Sequence, residues 1–422
     1  LLKIRIGWWD MSYTLINNGT LINGTGGTPI KNAAVLIEDD LIIAVGPEES
    51  VKIPDSDVNT VDAKGCFILP GFIDAHVHLM TDDFGREETI YTPLSLYFYN
   101  AIERMLRTLN AGVTTVRDAG LADVGIKLAV EKGIIIGPRM QISIAPLSIT
   151  GGHFDFMLNS GFDIKPMYPG YPDGIADGPE EVRKAVRKIM RAGAEVIKVM
   201  VTGGIISAND HPEYPQFTPQ ELNVIVEEAG YRNLQVFAHA HGKQGLINAV
   251  NAGMNSIEHG TCIDDECIGL MLSNETYLVP TLIAMKINKE RALDETSDIP
   301  DWSRDDSIRM EGIHEKNMKK AYKAGVKIVM GTDSGVVPHG RNLEELGYLY
   351  EIGMDPMEAI IAGTKRAAES LGWEDKIGTL EEGKLADLVI SRKDPLKDIK
   401  SLGNPDNILI VVKDGRIVKN LI

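Results

Sequence analysis

Eight short, almost wholly apolar runs recur between positions 67 and 333, and an amphipathic segment follows most of them. The runs cover 67–74, 112–117, 139–145, 195–201, 234–239, 255–259, 277–282 and 326–333. A strand that is apolar throughout needs cover on both faces, as in a parallel sheet flanked by helices. The amphipathic segments are 93–111, 121–133, 179–193, 218–231, 243–253, 264–274 and 304–325, with 342–352 and 355–372 after the last run. Eight strand–helix units are the arithmetic of a (β/α)8 TIM barrel, an α/β fold, over residues 70–377.

Both ends of the chain read differently. Residues 13–19, 33–40, 386–390 and 408–418 alternate like short strands and are punctuated by Asn, Gly and Asp, with a Lys413-Asp414-Gly415 turn in the last. They predict one small β-sandwich domain built from residues 1–69 and 378–422. Residues 1–10 carry Trp8-Trp9 and no signal-peptide core, which makes Met11 a plausible start. Two connections are long: 146–178, rich in Gly, Pro, Tyr and Asp, and 283–303, acidic and polar. On the active face of a barrel such loops form lids or substrate walls.

A formal net charge of −17 argues against nucleic-acid partners and anionic membranes. No run of 18 apolar residues marks a membrane span, and a cytoplasmic location is the expectation. Cys66, Cys262 and Cys267 are too few and too scattered for a disulfide framework, and the Cys262–Cys267 pair lacks the partners of a metal site.

Ligand-type side chains stand where the strand runs end, on the face where barrel enzymes place their chemistry. His76 and His78, two apart on one strand, point to the same side. His239 and His259 end consecutive runs, and neutral imidazole is a common metal ligand. Asp333 follows Gly331-Thr332, and a carboxylate at a barrel rim calls for a partner such as a metal. Lys198 is the least expected residue, since an ammonium inside a buried strand must be desolvated. As a carbamate it would offer two anionic oxygens; as an ammonium it would pair with an acid such as Asp333.

This set, in this order, resembles the amidohydrolase superfamily of the binuclear, carboxylated-lysine type. The matching segments are Pro70-Gly71-Phe72-Ile73-Asp74-Ala75-His76-Val77-His78, Lys198, His239, His259-Gly260, Gly331-Thr332-Asp333-Ser334 and Gly378 to Val389. The resemblance implies two divalent metal ions. His76, His78 and Asp333 would hold one, and His239 and His259 the other, with carboxylated Lys198 and a hydroxide bridging them. It further implies attack by that hydroxide, with Asp333 as the catalytic residue that takes its proton. Zinc is the expected metal, with manganese, iron and cobalt as alternatives. A deaminase of the superfamily would carry a glutamate soon after His239, and the chain reads His239-Ala240-His241-Gly242, so amide hydrolysis is favoured.

A finer resemblance is to the imidazolonepropionase-related branch that includes Xaa-Pro dipeptidases. It rests on Val116-Arg117-Asp118, Gly151-Gly152-His153, Gly203-Gly204 and Pro338-His339-Gly340. It implies a small-molecule or dipeptide substrate, Xaa-Pro or similar, or an N-acyl amino acid. Cyclic amides, phosphotriesters and lactones are alternatives, as is a scaffold without catalysis, which the complete ligand set disfavours. His153, His241 and Arg341 are candidate binders of a substrate carboxylate, with Arg117 weaker because Asp118 adjoins it. Phe154, Phe156, Met157, Tyr168 and Tyr171 offer an apolar wall. His211 and His314 read as exposed residues without a role. A homo-oligomer is compatible with such a barrel, and the sequence leaves the state open.

Overall fold

The computed structural model describes residues 13–82, 91–158, 160–165, 168–206, 210–297, 299 and 301–422, and of Trp302 its backbone only. The expected leader and start at Met11 lie outside the described residues.

The N-terminal end forms strands β1 (Tyr13–Leu21), β2 (Ile30–Glu38), β3 (Leu41–Pro47), β4 (Val58–Asp62) and β5 (Phe67–Pro70). After Gly71 the chain enters β6 (Phe72–Val77), and a strand–helix alternation begins: α1 (Leu94–Asn110), β7 (Val113–Asp118), α2 (Val124–Glu131), β8 (Arg139–Ile142), α3 (Pro179–Arg191), β9 (Val196–Met200), α4 (Pro219–Gly230), β10 (Gln235–Ala240), α5 (Lys243–Asn251), β11 (Ser256–His259), α6 (Asp265–Ser273), β12 (Tyr277–Val279), α7 (Leu282–Leu293) and α8 (Asp301–Lys323). Three short helices follow, α9 (Glu344–Glu351), α10 (Pro356–Ala362) and α11 (Lys365–Leu371).

Strands β6, β7 and β8 make one parallel sheet, and β9 to β12 another, all in chain order. Backbone hydrogen bonds join them at both edges. The Glu195 amide donates to the Ile142 carbonyl at 2.9 Å, and the Leu147 amide to the Lys198 carbonyl at 2.9 Å. On the other side, Val329 N–H reaches Leu278 O at 2.9 Å, and Ala75 N–H reaches Met330 O at 3.1 Å. The segment expected as the eighth strand thus lies between β12 and β6, held by single bridges at Ile328 and Ser334. The stretch expected as a polar loop over 283–303 begins instead as helix α7, which buries Leu282, Ile283, Ala284, Met285 and Ile287. Its apolar residues lie among lysines and acids, which hides the pattern.

The chain returns in β13 (Leu388–Ser391), β14 (Ile408–Lys413) and β15 (Arg416–Asn420). The two ends share a sheet, with β5 between β1 and β13. All eight terminal strands belong to one hydrogen-bonded sheet, branched where β1 pairs with both β4 and β5, so strand pairing alone does not show the expected sandwich. Period-two alternation gives that sheet two cores. Ile68, Leu388, Ile390 and Ile410 pack with Ile16, Val35 and Ile37, while Leu69, Val389 and Val411 join the main core with Phe72, Val113 and Leu343; an irregular register at the start of β14 turns Ile408 to that core as well. Arg139, at the start of β8, adds ion pairs to Asp387 and Asp414. Among the described residues no helix is long and apolar enough to cross a membrane.

Candidate metal centre

Parallel register sets the stage. Lys198, Phe237 and Ser256 share one row across β9, β10 and β11. One step of two along β10 puts His239 on the same face as Phe237. Lys198 is 1% exposed, its Nζ has no hydrogen-bond partner, and it lies 4.9 Å from the centre of the Phe237 ring. Burial first, and Arg117 after it, bring its amine down to about 8, against the pull of Glu258 and Asp333. The expected alternative, an ion pair with Asp333, is not made.

His76 and His78 present their Nε2 atoms to Asp333 Oδ1 at 3.5 and 3.3 Å. The other nitrogen of each ring is occupied: His76 Nδ1 meets Glu258 Oε2 at 2.6 Å, and His78 Nδ1 meets the Gly120 carbonyl at 3.3 Å. A carbonyl or an ionised carboxylate only accepts, so each Nδ1 carries the proton and each Nε2 keeps its lone pair. Asp333 sits at φ 59° with its amide on His76 O at 2.8 Å. Burial opposes its ionisation, but the positive charge of Lys198, and of either imidazole when protonated, holds the carboxyl below its ordinary range. Gly331 is required by close packing, because a Cβ there would come within 2.3 Å of Val279 Cγ1 and 3.1 Å of His76 Cβ.

The second group lies beside the first, with the His76 and His259 rings 5.1 Å apart. His239 donates Nε2–H to the Gly203 carbonyl at 3.1 Å, which leaves Nδ1 with the lone pair. His259, at φ 66°, is fixed through Nδ1 by Thr281 Oγ1 at 2.7 Å. Burial, then neighbouring histidines, push both rings far below the usual imidazole value and keep them neutral, as ligation needs. His241 belongs to this group as well. Its ring stacks on His259 at 4.9 Å, and each of His239, His241 and His259 has a ligand atom within 4.8 Å of the other two. His76, His78 and Asp333 form the other such group. Two divalent ions fit these donors: two imidazole groups side by side, one of them holding the Asp333 carboxylate, and an orphaned buried amine, which as a carbamate would supply missing anionic oxygens.

Of the expected substrate contacts, His153 lies on the site. Its ring stacks on His239 at 4.3 Å and over Gly204, with Nδ1 3.8 Å from Asp210 Oδ2. Arg341 is engaged elsewhere, with its fork on Glu344 at 2.8 and 2.7 Å. Arg117 does not pair with Asp118. It is wholly buried, donates Nε–H to Ala75 O at 2.7 Å and binds Glu258 Oε1 at 2.9 Å. Asp118 instead receives the amides of Leu79, Gly120 and Ala122 and shapes the turn after His78. His314 is buried, not exposed, and binds the His259 carbonyl at 2.9 Å. The aromatics of 146–178 mainly pack together, Phe154 on Phe156 and Tyr168 on Tyr171 and Phe98. Sequence reasoning overlooked Glu258, although a carboxylate in the apolar run Ser256-Ile257-Glu258-His259 is the same signal as Lys198 in its own.

Residues 67–418 match the model of the amidohydrolase family. The chain is 37% identical to ochratoxinase of Aspergillus niger over 433 aligned residues, covering 97% of this chain and 87% of that one. The crystal structure of the A. niger ochratoxinase aligns with a TM-score of 0.85 at 36% identity, over 97% of this chain and 96% of that one. The crystal structure of a Xaa-Pro dipeptidase with bound methionine in the active site aligns with a TM-score of 0.89 at 33% identity, over 97% of this chain and 100% of that one. That of a prolidase complexed with N-methylphosphonate-L-proline gives 0.89 at 29%, with 97% and 100% covered.

Proposed function

The chain belongs to the amidohydrolase family, among prolidase-like neighbours, and is a hydrolase of C–N bonds; we propose that it cleaves the amide bond of dipeptides, Xaa-Pro or similar, or of N-acyl amino acids. The observation that carries this reading is the pair of ligand groups beside the buried, unpartnered amine of Lys198. We read the parallel strands as a (β/α)8 barrel over 70–377, with both chain ends forming the adjoining domain.

His76, His78 and Asp333 would hold one divalent ion, His239 and His259 the other, and carboxylated Lys198 would join them; zinc suits the nitrogen and oxygen donors. Such ions polarise a carbonyl and acidify water. Burial, which brings the Lys198 amine down to about 8, favours the free base that carbamate formation from carbon dioxide requires. Asp333, ionised and facing His76 and His78, takes the proton of the attacking water and passes it to the departing amine. His153, stacked on His239, and His241, stacked on His259, orient the substrate carboxylate. Arg341 has no part in this proposal because Glu344 holds it.

The test is a screen of metal-reconstituted enzyme against dipeptides with varied C-terminal residues, N-acyl amino acids and cyclic amides, with metal content measured in parallel. Turnover of linear amides with two ions per chain is expected. Turnover confined to cyclic amides, lactones or phosphotriesters overturns the substrate assignment.

A further inference from the structure

Residues 342–345 lie outside the ligand set yet reach both halves of it. Asn342 donates from Nδ2 to Asp74 Oδ2 at 2.8 Å and to Ser334 Oγ at 3.0 Å. Asp74 in turn receives the His76 amide at 3.1 Å, and the Thr332 amide and hydroxyl at 3.1 and 2.6 Å. These bonds tie the backbone of His76 to the segment that carries Asp333. Three residues on, Glu345 is wholly buried and accepts the amides of Leu282 and Ile283 at 2.9 and 2.8 Å. Those amides open α7, a helix whose own N-cap residue, Thr281, makes no side-chain cap. Freed from capping, Thr281 adopts φ 50° and turns its hydroxyl to His259 Nδ1.

We propose that Asn342 and Glu345 are positioning residues that form one brace for both ligand groups, Asn342 setting His76 and Asp333, and Glu345 setting His259 through Thr281. Asn342, just ahead of α9, and Glu345, in its first turn, fix the spacing of the two groups. The inference rests on the two-ion reading above. Partners of ligand residues typically alter metal affinity by about 10–100-fold when removed.

The experiment is chelator competition on purified chain loaded with cobalt(II), read as ions retained per chain and as the visible spectrum. Wild type is expected to hold two ions. Glu345→Gln, which keeps one acceptor, and Thr281→Val, which removes the hydroxyl but not the shape, should each weaken one ion by about 10–100-fold. Thr281→Ser should restore it. Asn342→Ala should weaken the other ion, and should do so equally in a His239→Ala background, where Glu345→Gln has no further effect. Circular dichroism and melting confirm that each variant is folded. Two ions in wild type with unchanged retention in folded Glu345→Gln and Thr281→Val overturns the brace alone. A single ion in wild type overturns the two-ion reading and the brace with it.

Discussion

His76 and Glu258 meet at 2.6 Å across the interior, one from β6 and the other from β11. Burial opposes ionisation of Glu258, but Arg117, His76 and Lys198 prevail and hold its carboxyl at about 2. As an acceptor it keeps the proton of His76 on Nδ1. Arg117 completes the unit beneath the site, its guanidinium 4.1 Å from the centre of the Phe237 ring.

Removing one half of this pair strands the other. Arg117→Met is expected to destabilise the fold by about 3–5 kcal/mol, the usual cost of an uncompensated buried charge. The double variant Arg117→Met/Glu258→Gln should recover part of that loss. Denaturant unfolding of the two singles and the double closes the cycle, and strict additivity would refute the coupling.

Lys198→Ala should lose at least one metal ion and most activity, about 100-fold or more. Elemental analysis decides it. Two tightly held ions in this variant would exclude a bridging role.

Asp333→Asn should leave KM near that of wild type and lower kcat by about 100–10,000-fold, the range of a lost proton-transfer group. Steady-state kinetics on the identified substrate separate the two constants. Near-normal turnover would remove Asp333 as the proton carrier.

Gly204 is a specificity lever. A Cβ at this position would stand 1.9 Å from His153 Cε1, so Gly204→Ala must push the imidazole off His239. The expected result is a KM raised about tenfold with both ions retained, which separates substrate orientation from metal binding. An unchanged KM would dismiss His153 as a substrate contact.

Glu345 carries a pH signature. Burial, more than the nearby Asp74, raises its carboxyl from the ordinary 4.5 to about 8, against the two amides that lower it. Between those values the unfolded chain has released a proton that the folded chain keeps, so this group's contribution to stability falls as pH rises. Glu345→Gln removes that slope. Its melting temperature relative to wild type should therefore improve from pH 5 to pH 8. A constant difference would show that Glu345 is ionised throughout.

The strand–helix alternation and the six ligand-type residues were legible because each violates its local pattern: His76, His78, Lys198, His239, His259 and Asp333 are polar groups in or at the ends of apolar runs. What escaped is non-local. That Arg117 serves Glu258 rather than its neighbour Asp118 depends on β7 and β11 facing one another across the interior. His314 lies on α8 amid charged residues, and only the packing of that helix against the His259 carbonyl buries it. Likewise β3 and β4 carry short, mixed sequences whose partners, β2 and β1, are set by the sheet. The stretch 326–333 had the apolarity of a strand, yet forms only isolated bridges because its last residues turn to deliver Asp333.

The position of β5 has a consequence for biosynthesis. It runs beside β1 on one side and β13 on the other, and β13 leaves the ribosome only after more than 300 further residues, since β5 ends at Pro70 and β13 begins at Leu388. Until then the nascent chain holds an open strand edge carrying Ile68 and Leu69, both fully buried in the finished protein. Such edges template unwanted pairing. A chain whose synthesis stops short of β13 would be sticky however well its other strands had formed.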